Sequence, residues 1–205
     1  MTIEFKEWPK TPRLLRDIVI TEKIDGTNAA IGITPYADVE LGDPAVIAVI
    51  EHDGTAWAVY AQSRTRLITP GKLTDNYGFA GWVQANAAEL VRLLGEGLHY
   101  GEWWGSGIQR NYGQAEKWFS LFNTARFHGF EERTTLNIRA VPVLYHGPND
   151  TSAIVEALNI LRHTGSVAAP GFMNPEGICI YHAVTRQISK VTLDKNDAGK
   201  WEAAA

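Results

Sequence analysis

The 205-residue chain has a single cysteine, Cys179, which excludes an internal disulfide. It also lacks an apolar stretch long enough to cross a membrane, and its first residues lack the charged-then-apolar layout of a signal peptide. These absences predict a cytoplasmic protein in a reducing setting with no membrane partner. An excess of basic residues is missing too, because the formal net charge is -4 and the pI is about 5.9. Any surface that binds nucleic acid must therefore be assembled locally by the fold.

No internal repeat, low-complexity tract or linker interrupts the chain, so a single domain over residues 1–205 is expected. Hydrophobic residues make up 45% and charged residues 20%, which is ordinary for a globular protein. The histidines show no paired metal-ligand spacing, and no zinc site is predicted. They are His52, His99, His128, His146, His163 and His182.

The apolar pattern predicts many short strands and few helices. Helical periodicity appears over residues 79–94 and about 151–162, the second beginning at Thr151 or Ser152 and ending near Gly165. Strands are predicted within 17–34 on both sides of an Asp-Gly turn, and over 46–50, 57–61, 98–104, 119–123, 138–145, 177–183 and 186–193. This mixture favours an α+β fold with antiparallel sheets and flanking helices over a doubly wound parallel sheet.

The most informative segment is Thr21–Asn28, which reads TEKIDGTN. Lys23 ends an apolar strand and is closely followed by the turn residues Asp25 and Gly26. A lysine amine becomes a nucleophile only after losing its proton, and Gly26 would let the backbone approach a ligand closely. Taken alone, Lys-x-Asp-Gly is common in surface turns, so the catalytic interpretation depends on the motifs that follow.

Five short motifs follow Lys23 in a fixed order. They are Ser63-Arg64-Thr65-Arg66, Gly101-Glu102-Trp103-Trp104-Gly105, Trp118-Phe119-Ser120-Leu121-Phe122-Asn123, Pro175-Glu176-Gly177-Ile178 and Ser189-Lys190-Val191-Thr192. This order resembles the covalent nucleotidyltransferase superfamily, which comprises ATP-dependent ligases and GTP-dependent capping enzymes. Residues 22–28 look most like motif I of the Rnl2-type RNA ligases. The resemblance extends from Lys23 to Lys190 and implies a ligase-type adenylyltransferase domain.

The resemblance implies a chemical role for three residues. Lys23 would attack the α-phosphorus of ATP, forming lysyl-AMP and releasing pyrophosphate. Lys190 would contact the α-phosphate, and Glu176 would help to hold a divalent cation, with Mg²⁺ expected. The cofactors implied are therefore ATP and Mg²⁺.

The same resemblance implies the nucleotide contacts. Glu102 would accept a hydrogen bond from the ribose, Arg64 would lie near sugar or phosphate, and Phe122 would stack on adenine. Arg66 is the alternative to Arg64, and Phe119 is the alternative to Phe122. Within the first motif the implied contacts are Glu22 beside the adenine, Asn28 at the phosphates or the nick, and the turn residues Asp25 and Gly26. The loop 106–113 is either an ordinary exposed loop or a nucleic-acid contact through Arg110 and Tyr112.

Two departures from the family pattern stand out. The family's last motif is usually Lys-x-Lys, whereas Thr192 occupies the second basic position here, with Lys195 as a candidate replacement. The sequence also ends soon after this motif, so a stand-alone catalytic core without an OB-fold domain is expected.

The leading functional hypothesis is an ATP-dependent RNA ligase that joins a 5′-phosphate to a 3′-hydroxyl through lysyl-AMP and an adenylated 5′ end. Its partner would be RNA, either a nicked duplex or strand ends, with DNA as the alternative, and the protein is expected to be a monomer. The rival hypotheses are a minimal DNA ligase, an mRNA-type guanylyltransferase and a non-catalytic nucleic-acid-binding module.

Overall fold

The structure is a computed structural model that describes residues 3–194. In chain order its strands are β1 (Asp17–Lys23), β2 (Thr27–Pro35), β3 (Ala48–His52), β4 (Thr55–Ser63), β5 (Leu67–Ile68), β6 (Gly97–Gly105), β7 (Lys117–Leu121), β8 (Ile138–Ala140), β9 (Val143–Pro148), β10 (Gly177–His182) and β11 (Gln187–Thr192). Its helices are α1 (Phe79–Ala85), α2 (Ala87–Leu94) and α3 (Thr151–Thr164), and short 3₁₀ turns cover Tyr36–Asp38 and Phe130–Arg133. This mixture confirms the α+β class predicted from the sequence.

The strands form two sheets. A four-stranded sheet has the order β11-β10-β1-β9 and is antiparallel throughout. A seven-stranded sheet follows the path β3-β4-β2-β6-β7-β8, with β5 beside β4. Among the pairings of residues 3–194, that of β7 with β8 is parallel, and it is the one exception to the predicted antiparallel arrangement.

Buried and partly accessible residues alternate strictly along β1. Ile18, Ile20 and Glu22 are buried, whereas the residues that follow each of them, including Lys23, are partly accessible. The two isoleucines pack in one cluster with Ala157 and Leu161 of α3. Alternation with period two thus turns Lys23 away from the core that holds its own strand.

Helix α3 begins and ends as its sequence predicts. Asp150 caps it by accepting a hydrogen bond from the backbone N–H of Ser152 at 2.9 Å, and Gly165 follows its last residue with φ 79°. Within residues 3–194 the structure contains no helix with the length and apolar character to span a membrane.

The seven-stranded sheet buries one face against α1 and α2. The rings of Phe79 and Trp103 lie 5.3 Å apart, and those of Phe79 and Phe119 lie 5.0 Å apart. All three rings belong to one core cluster that also contains Leu90 and Val91 of α2. This packing fixes the orientation of β6 and β7, and the alternate residues of those strands face the other way.

The predicted helix over 79–94 is two helices, because the chain bends at Asn86. The backbone of Asn86 leaves the helical region (φ -113°, ψ 12°), and its side-chain amide donates to the carbonyl of Trp82 at 2.8 Å. An asparagine that bonds the preceding turn competes with the regular helical hydrogen bonds. The periodicity of the apolar residues did not reveal this break.

The predicted strand over 138–145 is also divided, and its two halves lie in different sheets. β8 pairs with β7 in the larger sheet, whereas β9 pairs with β1 in the smaller one. Pro142 lies between them, and proline has no backbone N–H with which to continue a ladder. Its carbonyl instead accepts a hydrogen bond from the backbone of Glu22 at 3.0 Å.

Candidate active site

The turn that follows Lys23 connects the two sheets. β1 belongs to the smaller sheet and β2 to the larger one, so Ile24, Asp25 and Gly26 carry the chain from one to the other. The strand-turn-strand pattern is confirmed, but the two strands do not pair with each other. We call the region around Lys23–Asn28, together with Glu102 and Glu176, the sheet junction.

Lys23 and Glu176 form an ion pair at the junction. Lys23 pairs in register with Gly177 of β10, so Glu176 enters the strand directly beside it. The lysine Nζ lies 2.5 Å from Oε2 of Glu176, and both side chains are largely but not fully buried. The structure therefore brings together the predicted nucleophile and the predicted metal ligand, which are 153 residues apart in sequence.

Glu102 reaches the junction from the larger sheet. It pairs in register with Asn28, whose Nδ2 donates to Oε2 at 2.7 Å, and the backbone N–H of Gly26 donates to Oε1 at 3.1 Å. Glu102 is 8% exposed, and this burial raises its pKa to about 7, although the hydrogen bond from Asn28 and the charge of Lys23 act in the opposite direction. The carboxyl group can thus exchange a proton near neutral pH.

Lys190 lies on the same face of the smaller sheet as Lys23, two residue pairs away along the strands. Thr21, Cys179 and Lys190 are aligned across β1, β10 and β11, and the intervening row of residues faces the other way. Burial raises the pKa of the Cys179 thiol, and the charges of Glu176 and Glu102 reinforce the effect while those of Lys23 and Lys190 oppose it. All four of these charged side chains act on the pKa of this one thiol. The predicted residues therefore lie close enough together to form one electrostatic cluster.

Cys179 is only partly buried and faces the cluster. The sequence does not reveal this orientation, because Cys179 stands between the apolar residues Ile178 and Ile180. Alternation alone does not say which face of a strand carries the chemistry. In the row of Lys23 itself, Thr192 pairs with Gly177. Lys195, the predicted substitute for a second basic residue, lies outside the described residues.

The two candidate aromatic residues have different environments. Phe119 is fully buried (0% exposed) in the core of the larger sheet, whereas Phe122 is 43% exposed. The backbone N–H of Phe122 donates to the carbonyl of Tyr100 at 3.0 Å, which extends the β6–β7 register and places Phe122 on the face that carries Glu102. Of the two rings, Phe122 is the one accessible for stacking.

The two candidate arginines also differ. Arg66 donates to the backbone carbonyls of Thr74 at 2.9 Å and Asp75 at 3.5 Å, so it holds the loop that precedes α1. Arg64 is exposed in the turn after β4. Both arginines are exposed, and the structure gives Arg66 a structural task in the loop before α1.

Glu22 lies behind Lys23 and is 1% exposed. Its carboxylate accepts hydrogen bonds from the Ser166 hydroxyl at 2.5 Å and from the backbone N–H groups of Val167 and Ala168, both at 2.8 Å. Burial raises its pKa, while these hydrogen bonds and the charge of Arg139 lower it. Contact with an adenine stays a prediction; in this structure both oxygens of Glu22 anchor the 166–168 loop.

Replacing Glu22 with alanine is expected to lower the free energy of unfolding by about 2–3 kcal/mol, because the buried Ser166 hydroxyl and the backbone N–H groups of Val167 and Ala168 lose their acceptor. Urea-induced unfolding at pH 7 measures this loss. Glu22→Gln is the matched variant, since its amide oxygen can still accept from both backbone groups and its amide nitrogen can donate to Ser166. An equal loss in both variants, or a similar loss in the exposed Glu40→Ala, would contradict the anchoring role.

The turn residues Asp25 and Gly26 are held by the protein itself. A Cβ atom on Gly26 would lie 2.4 Å from the carbonyl oxygen of Trp103 and 2.8 Å from Cβ of Trp104, so the close approach that requires glycine is to β6. The backbone N–H of Asp25 donates to the hydroxyl of Tyr112 at 2.8 Å. Tyr112 is buried, so its side chain is not available for the nucleic-acid contact that was one of the two alternatives for the loop 106–113.

The junction offers one or two carboxylates to a divalent cation. Such an ion would take most of its ligands from substrate phosphates and water. In the part of the chain that the structure describes, no three histidine, cysteine or acidic side chains converge on a common metal position. Glu176 supplies a carboxylate directly beside Lys23, and Glu102 is nearby. Magnesium and similar ions are often held by one or two carboxylates together with substrate phosphates and water, which fits this arrangement.

Comparison with known families finds a match to the RNA ligase family over residues 16–198. No curated protein matches the sequence. Among solved structures, a mutant of Naegleria gruberi RNA ligase with ATP and Mn is similar, with a TM-score of 0.53 and 14% sequence identity over 86% of this chain. A second mutant of that ligase, with AMP and Mn, matches 94% of this chain at a TM-score of 0.49 and 13% identity. The chain spans about half the length of these structures, 50% of the first and 52% of the second.

Proposed function

Because the chain belongs to the RNA ligase family, we propose that it is an ATP-dependent RNA ligase that acts through a covalent lysyl-AMP on Lys23. The observation that carries this proposal is the Lys23–Glu176 ion pair at the end of β1, surrounded by Glu102 and Lys190. A partly accessible amine on a rigid strand end, beside carboxylates and a second cation, suits attack on a polyphosphate. A similar fold in a ligase solved with ATP and Mn supports the same substrate and a divalent cation.

In the first step the Nζ of Lys23 forms a bond to the α-phosphorus of ATP while the bond to the pyrophosphate leaving group breaks. Lys190, two residue pairs away on the same face of the sheet, would stabilise charge on the α-phosphate oxygens. The amine must leave its ion pair with Glu176 before it attacks. A Mg²⁺ ion held by Glu176 would neutralise phosphate charge and compete with Lys23 for the carboxylate.

The nucleotide would be oriented by the larger sheet. Glu102 would accept a hydrogen bond from the ribose, Phe122 would stack on the base, and Arg64 would approach the sugar or phosphates. Asn28, which holds Glu102 at 2.7 Å, would reach the phosphates or the nick. Positioning of the nucleotide by these side chains would supply most of the rate acceleration.

Two transfers would complete the reaction. The 5′-phosphate of an RNA strand would displace Lys23 from the AMP phosphorus and become adenylated. A 3′-hydroxyl would then attack the adenylated 5′-phosphate, forming the new phosphodiester and releasing AMP. The substrate is proposed to be RNA, as a nicked duplex or as strand ends.

The proposal is tested by incubating the protein and Mg²⁺ with α-labelled ATP, and separately with α-labelled GTP, followed by denaturing electrophoresis. Label from ATP that persists after denaturation is expected, and nicked RNA and nicked DNA duplexes then decide the acceptor. Label from GTP alone would replace the proposal with mRNA-type capping. No label from either nucleotide would contradict it and favour a non-catalytic nucleic-acid-binding module.

A further inference from the structure

The loop between β6 and β7 adopts a backbone that few side chains tolerate. Gln109, Asn111 and Tyr112 all have positive φ, at 44°, 61° and 49°. Residues other than glycine keep such angles only where the surroundings hold them there, and such residues cluster at functional sites. Here Tyr112 is buried against Trp104, with ring centroids 5.2 Å apart, and the side chain of Asn111 accepts from the backbone N–H of Gly107 at 2.9 Å.

This loop projects Arg110 into the sheet junction, where its side chain is only 15% exposed. The guanidinium Nε donates to Oδ2 of Asp25 at 2.9 Å, and Nη1 donates to the carbonyls of Asn174 at 3.1 Å and Pro175 at 3.4 Å. Nη2 forms a close ion pair with Asp194. One planar cation thus bonds four groups that come from three separate chain segments.

Each of these segments carries a residue of the proposed chemistry. Asp25 follows Lys23 by two residues, Pro175 immediately precedes Glu176, and Asp194 lies four residues after Lys190. These segments also meet through strand pairing, through the backbone N–H of Leu193, which donates to the carbonyl of Glu176 at 2.8 Å, and through the Lys23–Glu176 ion pair. That ion pair must open during the reaction. The Arg110 contacts do not involve the reacting groups and can persist when that pair opens.

We propose that Arg110 is a positioning residue that fixes Lys23, Glu176 and Lys190 relative to one another during nucleotidyl transfer. The inference rests on the proposed function, since it concerns the rate of that reaction. Lysine cannot replace arginine here, because a single ammonium cannot reach acceptors spread along both edges of a guanidinium plane. The strained loop is then the means by which Arg110 is delivered to the junction.

The test compares Arg110→Gln and Arg110→Lys with Arg92→Gln, which removes an ion-paired arginine from the exposed surface of α2. Formation of labelled enzyme is measured in single turnovers as a function of ATP concentration. Arg110→Gln is expected to lower the maximal rate about 10- to 100-fold, as small misplacements of reacting groups do. The apparent KM for ATP should change by less than about threefold, because Arg110 holds the reacting groups rather than the base or ribose. Arg110→Lys should recover only part of the rate, and Arg92→Gln should match the wild type.

Backbone hydrogen exchange supplies a readout that does not depend on activity. Arg110→Gln should accelerate exchange around residues 23–26 and 174–177 in a protein that still unfolds cooperatively, and Arg92→Gln should not. Asp194→Asn, which leaves Arg110 in place, covers the case in which Arg110→Gln fails to fold: it should lower the maximal rate by a smaller factor at unchanged KM.

A maximal rate within about twofold of wild type in folded Arg110→Gln, or unchanged exchange in both segments, would overturn the inference. Full recovery by Arg110→Lys would do the same, since a single charge would then suffice. If the wild-type protein takes no label from ATP, the proposed function fails instead, and the exchange measurement still decides whether Arg110 joins the segments.

Discussion

Lys23→Ala is expected to reduce covalent labelling by α-labelled ATP to background, a loss of at least about 1,000-fold in the rate of label formation. Lys23 is the lysine whose Nζ touches Glu176, and it stands at the point where the chain crosses between the sheets. Lys190 lies on β11, two residue pairs along the same face of the sheet, so it would approach the α-phosphate from a different position. The measurement is the single-turnover labelling described above, with the label followed after denaturation.

Two further variants show whether the loss belongs to the amine itself. Lys23→Arg keeps a positive charge next to Glu176 but presents a guanidinium that stays protonated, so it should fold normally and also fail to take label. Lys72→Ala, which removes an exposed lysine from the loop after β5, should label like the wild type. Label that persists in Lys23→Ala would place the nucleophile elsewhere and overturn the proposed mechanism.

The sequence predicted the fold class and the local composition of the site because both depend on short-range patterns. Alternation of apolar residues indicated the strands that carry Lys23, Glu102 and Lys190, and the cap residues indicated α3. The order of the motifs in the chain then implied that distant residues meet, and the structure shows Lys23 in contact with Glu176. Contacts between Glu102 and Asn28 follow from the pairing of β2 with β6, which the sequence did not specify.

What the sequence left open depends on contacts between elements that are far apart in the chain. Glu22 is bonded to residues 144 to 146 positions away, and no local pattern distinguishes an acid that binds a ligand from one that anchors a loop. Arg110 had two interpretations for the same reason, because an arginine in a glycine-rich loop reads as exposed until its acceptors are known. The strand break at Pro142 was visible as a residue type, but its consequence, a change of sheet, is a property of the whole topology.

Glu102→Gln is expected to make the protein more stable at pH 8 and less active. Burial raises the pKa of Glu102 to about 7 from an ordinary value of 4.5. Between these two values the folded state binds a proton more tightly than the unfolded state, so the stability of the wild-type protein falls as pH rises from about 4.5 to 7 and stays low above it. At 1.36 kcal/mol per pH unit, the difference of 7 − 4.5 = 2.5 corresponds to about 3 kcal/mol at pH 8.

A glutamine at this position cannot ionise, so it avoids that loss while keeping most of the local hydrogen bonds. Its amide oxygen can accept from the backbone N–H of Gly26, and a flipped Asn28 amide can accept from its nitrogen. We therefore expect Glu102→Gln to exceed the wild type by about 1–3 kcal/mol in free energy of unfolding at pH 8 and to differ little at pH 5. Urea-induced unfolding at the two pH values measures both differences, and equal destabilisation at both would contradict the raised pKa.

The same substitution should weaken the nucleotide site. A carboxylate accepts a stronger hydrogen bond from a ribose hydroxyl than an amide does, so the apparent KM for ATP in the labelling reaction should rise about 10-fold. Glu40→Gln, which makes the same change at an exposed glutamate, is the matched variant and should leave the apparent KM unchanged. A variant that is more stable at pH 8 but binds ATP less well would show that burial of this carboxyl group is maintained for nucleotide binding at the expense of stability. If Glu102→Gln gains stability with unchanged KM, Glu102 does not contact the nucleotide, and the ribose must find its acceptor elsewhere at the junction.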